Sequence, residues 1–300
     1  MTSSSGKAAL SSMRLPFLTL PPVCVALGTA TASYLGYEIH YTYLALILIG
    51  ALAAHIGVNA LNEYDDFKTG LDFKTERTPF SGGSGYLPQA PEKAHIALIT
   101  GSLACVVTAA IGFYFVHLRG QGLLPLGLLG LFIIIAYTRW LTRGPLACLI
   151  APGLGFGPLM VMGTEFVLTG YYSFTGMLVS FVPFFLVSNL LLLNQFPDVT
   201  PDREVGRRHL PIVIGLKASA LVYALFLAAT YATVIAGYYL NLFPAAGLMA
   251  LATLLLAVPT VIGIFRHAES IPELIPHMGR SVVIVLLTPA LLAVGLFIGE

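Results

Sequence analysis

The chain has 300 residues, of which 57% are hydrophobic and only 10% are charged, and its mean hydropathy is +0.87. Soluble domains are about a quarter charged, so this composition excludes an ordinary soluble protein and indicates that the bilayer is the solvent. The net charge is only +1 and the sequence contains no basic block, so it lacks the clustered positive charge of a nucleic-acid-binding protein. Three isolated cysteines predict neither a disulfide framework nor a zinc site.

Nine segments are long and apolar enough to cross the hydrocarbon core, which takes about 20 residues of helix. The first run contains Ala30-Thr31-Ala32, which resembles a signal-peptidase site, but the run is too long for a signal peptide and predicts an uncleaved span. We therefore expect an all-α polytopic membrane bundle, with a short polar tail at 1–13 and a single transmembrane domain at 14–300. The predicted spans lie near 14–36, 41–62, 93–116, 121–138, 145–168, 174–194, 217–239, 242–264 and 280–299.

Charge placement predicts the orientation of this bundle. With nine spans, the N-terminus and every second loop lie on one side, and all of the 15 Lys and Arg residues except Arg119 fall there. The positive-inside rule then predicts a cytoplasmic N-terminus and an outside C-terminus. The expected membrane is the inner membrane of a prokaryotic cell. The two longest loops, 63–92 and 197–215, are both cytoplasmic in this arrangement, and both are rich in charged residues.

The end of the second span carries polar side chains in helical spacing. His55, Asn59, Asn62 and Asp66 are separated by four, three and four residues, which places them on one helical face. Polar groups at membrane depth normally face a cavity, although a neighbouring helix could equally satisfy His55 and Asn59. Four carboxylates fall between Asn62 and Asp72. Their density suits Mg²⁺ held by carboxylate and phosphate oxygens, whereas the alternative is a solvated acidic loop.

A second acidic segment follows the sixth span. Asn194 and Asp198 repeat the N-x-x-x-D spacing of Asn62 and Asp66, and Asp202 comes four residues later. The two motifs stand four spans apart on the same predicted side, which indicates a weak internal repeat. If the first motif were only a solvated acidic loop, there would be no reason for a second motif with the same spacing on the same side. We therefore expect the two helix ends to converge on one ligand.

Cations on the motif side could bind an anionic ligand that the carboxylates alone would repel. Guanidinium groups suit phosphate recognition, and a bound metal would offset the acids. The alternative is that these cations only fix the topology and bind lipid headgroups. A Gly-rich turn at 78–85 could close over the ligand. The candidate cations are Lys68, Lys74, Arg77, Arg139, Arg143, Arg207 and Arg208.

These motifs resemble those of the UbiA-type family of intramembrane aromatic prenyltransferases. The N-D-x-x-D motif of that family matches Asn62, Glu63 and Asp66, with Glu63 as a conservative departure, and its D-x-x-x-D motif matches Asp198 and Asp202. The resemblance extends from about residue 14 to the end of the chain. It implies Mg²⁺-dependent transfer of a polyprenyl group from an allylic diphosphate to an aromatic acceptor in the membrane.

The finer pattern resembles the menaquinone branch, which prenylates 1,4-dihydroxy-2-naphthoate. The 4-hydroxybenzoate branch has a further Asp where this chain has Gly70, and Asp72 takes that role here. Phe196-Pro197 and His209 depart from the commonest menaquinone forms. Acceptors such as 4-hydroxybenzoate, homogentisate or a chlorophyllide-like ring therefore remain alternatives.

The resemblance also implies roles for individual residues. Asp66, Asp198 and Asp202 are the expected catalytic residues. The expected Mg²⁺ ligands are Asn62, Asp66, Asp72, Asp198 and Asp202. The expected substrate-binding residues are Asn59, Asn62, Lys68, Arg77, Arg139, Asn194, Arg207 and Arg208.

Two other classes of membrane protein compete with this interpretation. A secondary transporter also uses Asp and Asn at matching repeat positions, but its sites lie near the bilayer midplane, whereas these acids fall at or beyond the helix ends. A CDP-alcohol phosphotransferase also uses Asp-rich Mg²⁺ chemistry, but its D-G-x-x-A-R signature is missing from this sequence.

Overall fold

The computed structural model of the protein describes residues 4–299, and this part of the chain is mostly helical without a strand. The all-α prediction is therefore confirmed. The α-helices in chain order are α1 (Ser4–Met13), α2 (Leu20–Tyr34), α3 (Tyr41–Thr69), α4 (Ala94–Arg119), α5 (Leu124–Ala136), α6 (Pro145–Leu154), α7 (Gly163–Thr169), α8 (Phe174–Asn194), α9 (Val199–Glu204), α10 (Leu210–Ile214), α11 (Leu216–Tyr239), α12 (Leu254–His267) and α13 (Ile271–Ile298).

Eight helical stretches of the described chain are long and apolar enough to cross a membrane. The fourth predicted span, 121–138, corresponds to a shorter apolar helix, Gln121–Ala136. The nine predicted segments are thus all helical, and eight have full span length. The eight are Leu15–Tyr34, Tyr41–Thr69, Pro91–Arg119, Pro145–Thr169, Phe174–Asn194, Leu216–Tyr239, Ala245–His267 and Ile271–Ile298.

The short helix α5 nevertheless makes a full pass along the bundle. Asp66 near the end of α3 and Asn194 at the end of α8 line the same cavity, so these two helices end at the same end of the bundle. A chain that leaves one end and returns to it makes an even number of passes. Because α4, the α6–α7 segment and α8 account for three, α5 must be the fourth.

The two termini of the bundle differ from the predicted boundaries. The polar segment 1–13 is helical from Ser4 onward, and α1 packs against α3 and α4 with Ala8 and Ser12 buried, because one face of this segment is apolar or small. Helix α13 begins at Ile271, whereas the last predicted span begins near residue 280. The predicted start is late because the first turns of this helix carry polar residues, which lower the local hydropathy.

One continuous helical stretch, Pro145–Thr169, changes its hydrogen bonding along its length. It begins as α6, becomes a π-helix at Gly155–Met162 and continues as α7. Pro152 and Pro158 lie in or beside the π-turn and lack the N–H that an α-helix requires. Such turns occur often at functional sites, and Phe156 within this one faces the interior cavities.

The bundle has a densely packed half and a looser half. The largest apolar core joins α2, α8, α11, α12 and α13, whereas α3, α4 and α5 contribute none of its buried residues. A smaller core connects α3 and α4 to α2 and α7. Large apolar side chains such as Phe113 and Leu255 cover the outside, as expected of a surface that faces lipid.

Close backbone contact in the dense half predicts opposite effects for two glycine substitutions. A methyl group at Gly157 would lie 2.4 Å from the Ser180 carbonyl oxygen, whereas one at Gly112 would meet nothing within 4 Å. We expect Gly157→Ala to lower the thermal unfolding midpoint in detergent. Gly112→Ala should leave it unchanged or raise it, because Ala stabilises helices by about 0.5–1 kcal/mol over Gly. Equal midpoints for the two variants would contradict this packing.

Candidate active site

A polar cavity of about 200 Å³ lies where α3 and α8 end. Its walls are the last turns of these helices, the 3₁₀ turn after α3, the Gly-rich loop, and the connection from α8 to α10. Both N-x-x-x-D motifs therefore face one space. The polar side chains that line it are Arg14, His55, Asn59, Asn62, Asp66, Asp72, Asn194, Gln195, Asp198, Asp202, Arg207 and His209, together with hydroxyl-bearing residues.

Local chain reversals bring the second half of each motif back to the cavity. Helix α3 ends at Gly70, whose positive φ of 78° closes the last turn, and the 3₁₀ turn Leu71–Phe73 directs Asp72 inward. Helix α8 ends at Asn194, because Pro197 cannot continue it. The short helix α9 then carries Asp202 back over the cavity.

Arg207 bridges the two motifs. Its guanidinium group donates to Asp66 and, over 2.9 Å, to Oδ1 of Asp202. His209 Nε2 lies 2.8 Å from the other oxygen of Asp202. Burial lowers the pKa of Arg207, but Asp66 and Asp202 raise it more strongly, so the pKa lies well above its usual value. The guanidinium group therefore stays positively charged between the two carboxyl groups.

Three side-chain oxygens of the motifs have no such partner among the described residues. Oδ2 of Asp72 and Oδ1 of Asn194 and Asp198 are buried and make no hydrogen bond to any described residue. Burial and the charges of Glu63 and Asp66 raise the pKa of Asp72 to about 7. Burial and the charge of Asp202 raise the pKa of Asp198 to about 7 as well. Neither Asp72 nor Asp198 forms an ion pair within residues 4–299, although nearby guanidinium groups lower the pKa of both in part.

The Gly-rich loop is fixed to the end of α3 by Glu63. This fully buried carboxylate accepts from Nη2 of Arg14 over 3.0 Å and from the backbone and hydroxyl of Ser84. Gly83 has a φ of 70°, and a methyl group there would lie 2.9 Å from Oδ1 of Asp72. Glycine is therefore required for the loop backbone to pass this close to the carboxylate.

A second, apolar cavity of about 570 Å³ continues from the polar one into the looser half of the bundle. It lies between α3, α4, α5 and the α6–α7 stretch, and its wall is almost entirely hydrocarbon. The two cavities share Arg14, His55, Asn59, Asn62, Tyr137, Phe156 and Leu191, which we call the junction. Polar and apolar parts of one ligand could therefore lie end to end.

Four of the predicted substrate-binding residues lie outside the cavity lining. Arg139 forms a bidentate pair with Asp65 at 3.0 Å and is more than half exposed. Lys68 lies over the ring of Tyr64, and Arg208 is exposed. Arg77 is exposed and packs against the backbone of the Gly-rich loop, where its charge lowers the pKa of Asp72.

The other predicted residues lie in the cavity, and further polar residues line it to which the sequence motifs give no role. The predicted residues in the lining are Asn59, Asn62, Asp66, Asp72, Asn194, Asp198, Asp202 and Arg207. The further polar residues include Arg14, His55, Tyr137, Gln195 and His209. Of these, His55 is the one that the helical spacing of the first motif points to, whereas Arg14 enters the sequence argument only through the topology.

The donor set fits a hard divalent cation completed by a phosphate ligand. Within residues 4–299, no group of three or more His, Cys, Asp and Glu side chains is arranged to hold a metal by itself. Arg207 already engages Asp66 and Asp202, whereas the free oxygens of Asp72, Asn194 and Asp198 line the same cavity. Mg²⁺ in proteins is typically held by one or two carboxylates plus water and phosphate oxygens.

Fold and site together define a membrane-embedded helical bundle with an acidic site at the helix ends. Its sequence matches the model of the UbiA prenyltransferase family over residues 19–271. Because this match covers most of the chain, the protein belongs to the UbiA prenyltransferase family.

Individual relatives agree with this family. The chain is 29% identical over 224 residues to the 1,4-dihydroxy-2-naphthoate octaprenyltransferase of Bacillus subtilis, covering 73% of this chain and 69% of the relative. It is 28% identical over 215 residues to the UbiA prenyltransferase domain-containing protein 1 of Xenopus tropicalis, covering 69% of this chain but only 59% of that relative. The UbiA homolog from Archaeoglobus fulgidus bound to DMAPP and Mg²⁺ has the same fold, with a TM-score of 0.59 at 14% identity, over 93% of this chain and 99% of that one.

The raised carboxyl pKa values predict a pH-dependent effect of Mg²⁺ on stability. Asp72 and Asp198 have pKa values of about 7 in the folded protein against an ordinary 3.8. Without metal, their contribution to stability is complete below the ordinary value and is lost as the pH rises through 7. Because a metal binds the ionised form, Mg²⁺ should raise the unfolding midpoint more at pH 8 than at pH 6, relative to EDTA.

The control for that experiment is the double variant Asp72→Asn/Asp198→Asn, in which amide groups that are neutral at every pH replace both carboxyl groups. We expect its unfolding midpoint to respond weakly to Mg²⁺ at pH 6 and at pH 8. An equal Mg²⁺ response of the native chain at the two pH values would contradict the electrostatics described here.

The buried carboxylate of Glu63 predicts a local effect on the Gly-rich loop. Glu63→Ala removes the shared partner of Arg14 and Ser84, and breaking a buried ion pair typically costs about 3–5 kcal/mol. Amide hydrogen exchange at residues 78–85 should become faster. Glu204→Ala is the matched control, because Glu204 pairs with Lys74 at an exposed position, where an ion pair contributes about 0–1 kcal/mol. Unchanged loop exchange in Glu63→Ala would rule out the fixing role.

Proposed function

We propose that this chain transfers a polyprenyl group from an allylic polyprenyl diphosphate to an aromatic acceptor and releases diphosphate, with Mg²⁺ as the cofactor. The observation that carries the proposal is the continuity of the acidic cavity with the apolar one through a shared junction. A polyprenyl diphosphate has the same division, with a charged head and a hydrocarbon tail. Membership of a prenyltransferase family and a relative bound to DMAPP and Mg²⁺ support it.

The acidic end would hold the diphosphate. Asn62, Asp66, Asp72, Asp198 and Asp202 would hold Mg²⁺ there, which supplies positive charge against the negative charge that develops on the departing diphosphate. Asp66, Asp198 and Asp202 are the proposed catalytic residues. The carboxylates are already placed by Arg207 and by the chain reversals, so little reorganisation is needed when the donor binds.

The cations of the cavity would act on the phosphate oxygens. Arg207 lies between the two motifs. Arg14 lies at the junction, where its Nε and Nη2 donate to Glu63 and its Nη1 is not used in that ion pair. Guanidinium groups of this kind form charge-assisted bonds to phosphate. Asn59 and Asn194 complete the proposed head-group site, since both line the cavity.

The apolar cavity would hold the tail and exclude water from the reacting carbon. An allylic cation is captured by water unless its surroundings are dry, and the walls of this cavity are hydrocarbon. Phe113 and Leu128 line the cavity and are also exposed on the outside of the bundle. The cavity therefore reaches the surface between α4 and α5, which gives a membrane-dissolved donor a lateral path.

The acceptor proposed first is 1,4-dihydroxy-2-naphthoate. The menaquinone-type motif pattern supports it, and so does the name of the Bacillus relative. 4-Hydroxybenzoate or another aromatic or tetrapyrrole ring is the alternative acceptor. An ion-coupled transporter is the rival class, but the acids lie at or beyond the ends of α3 and α8 rather than at mid-helix, as a midplane ion site would require.

We also propose that the acidic end faces the cytoplasm of a prokaryotic cell, with the bundle in the inner membrane and in contact with lipid. The distribution of Lys and Arg supports the cytoplasmic side of the acidic end, since only Arg119 lies at the opposite end.

Two single substitutions test the enzyme proposal. Membranes containing the chain receive an allylic diphosphate, Mg²⁺ and either 1,4-dihydroxy-2-naphthoate or 4-hydroxybenzoate, and mass spectrometry detects the prenylated product. Asp66→Asn and Asp198→Asn should each lower product formation by about 100-fold or more, the usual effect of removing one transition-state contact. Asp65→Asn is the matched control, because Asp65 adjoins Asp66 in sequence but pairs with Arg139 outside the cavity.

The pattern of products distinguishes the possible failures. Diphosphate release that depends on Asp66 without a prenylated product would mean that the donor site is correct and the acceptors are wrong. Neither product nor diphosphate release, from folded protein and with several donor lengths, would overturn the enzyme proposal and favour ion-coupled transport. A loss in Asp65→Asn as large as in Asp66→Asn would show a general structural effect instead of a local one.

A further inference from the structure

His55 lies at the junction and takes part in none of the ion pairs of the acidic end. Its side chain is 7% exposed, and its Nδ1 is buried without a hydrogen-bond partner among the described residues. The ring of Phe156 packs edge-on against the imidazole with 5.1 Å between the centroids. A buried polar atom without a partner costs about 1–3 kcal/mol, which indicates that a polar ligand completes this position.

The position of His55 along α3 places it past the proposed phosphate site. His55 precedes Asp66 by eleven residues, about 16 Å along the helix axis, and it precedes Asn59 by one turn, about 6 Å. Among the α3 residues that line the acidic cavity, His55 is therefore the one furthest from the acidic end. It lies one turn beyond the last proposed head-group residue of this helix, at the level where the allylic carbon and the aromatic ring must meet and where the apolar cavity begins.

The chemistry of the two substrates decides which of them bonds to His55. A prenyl tail is a hydrocarbon without any hydrogen-bonding atom, so it would leave Nδ1 unsatisfied. The aromatic acceptor carries a hydroxyl group, and a hydroxyl that donates to imidazole also increases the electron density of its own ring. A ring that attacks an allylic carbon needs that density, so one hydrogen bond serves both binding and reaction.

We propose that the hydroxyl group of the aromatic acceptor donates a hydrogen bond to Nδ1 of His55. This inference rests on the proposed prenyl transfer and assigns the part of the site that selects a hydroxylated ring and turns it toward the allylic carbon. Phe156, in the π-turn of the α6–α7 stretch, packs against this position through its edge-on contact with the imidazole.

The test compares His55→Phe, which retains a ring but removes both nitrogens, with His55→Asn, whose amide retains polar atoms near the position of Nδ1. A neutral hydrogen bond contributes about 0.5–1.5 kcal/mol, so His55→Phe should raise the KM for the acceptor about three- to tenfold. The KM for the donor and the Mg²⁺ requirement should stay near their original values. His55→Asn should recover part of the loss, and His95→Phe, at an exposed position, is the control for the substitution itself.

An acceptor whose hydroxyl groups are methylated in turn adds a second, independent measurement. The native chain should use one of the methyl ethers about as poorly as His55→Phe uses the hydroxylated acceptor, and His55→Phe should lose nothing further on methylation. The proposal is overturned if His55→Phe weakens donor and acceptor binding equally, or if methylation affects the native chain and the variant alike.

Folding and the wider function are checked separately. Stabilisation of His55→Phe by the donor diphosphate with Mg²⁺, measured as a rise in unfolding midpoint, shows that the variant retains its donor site. If that rise is lost in His55→Phe and in His55→Asn together, His55 acts on the donor or on the fold, and the proposal is wrong. If the native chain itself forms no product, the prenyl-transfer proposal fails first, whereas product formation with unchanged KM in His55→Phe sinks only the role of His55.

Discussion

The structure depends on how an apolar bundle holds several carboxylates together at one end. Asp66 and Asp202 belong to segments that are more than a hundred residues apart, and one guanidinium group lies between them. Without Arg207 the two carboxylates would repel each other in a poorly hydrated space, where like charges interact strongly. The ion pair therefore fixes the end of α3 against the α8–α10 connection, and the cavity exists because these two segments are held side by side.

Arg207 compensates only part of that charge, and the remainder gives the site its chemical character. Asp72 and Asp198 lie outside the bridge, each with a buried oxygen that has no partner. Another arginine could pair with these two carboxyl groups and neutralise their charge. A metal cation could then no longer bind to them. The incomplete compensation favours a divalent metal that arrives with an anionic ligand, since metal and phosphate neutralise each other as well as the protein.

The sequence predicts the helices and the shared site well, because both follow from regular spacing. Apolar runs of about 20 residues identify the spans, and matching N-x-x-x-D motifs identify Asp66 and Asp198 as members of one site. It predicts the cations poorly. Arg207 and Arg208 are neighbours in an identical charge pattern, yet Arg207 lines the cavity and Arg208 is exposed.

The reason is that these cations lie in irregular backbone, where periodicity does not give the direction of a side chain. Gly206, with a φ of 84°, turns the chain immediately before Arg207. Arg14 has a φ of 51° at the break between α1 and the following 3₁₀ turn, and that break brings it to Glu63. Arg139 follows the end of α5 and pairs with Asp65 of α3, which does not line the cavity. Tertiary contacts decide each case.

The division of the bundle into a dense and a looser half explains how one fold can provide both a rigid site and room for a long hydrocarbon. The second motif is attached to the dense half, where α8 packs closely against its neighbours, as in the backbone contact of Gly157 with Ser180. The apolar cavity lies beside α3, α4 and α5, which contribute no buried residue to the largest apolar core. The α6–α7 stretch separates the halves, and its π-turn places Phe156 at the junction rather than in the core. The acidic end can therefore stay fixed while the side facing the membrane accommodates the tail.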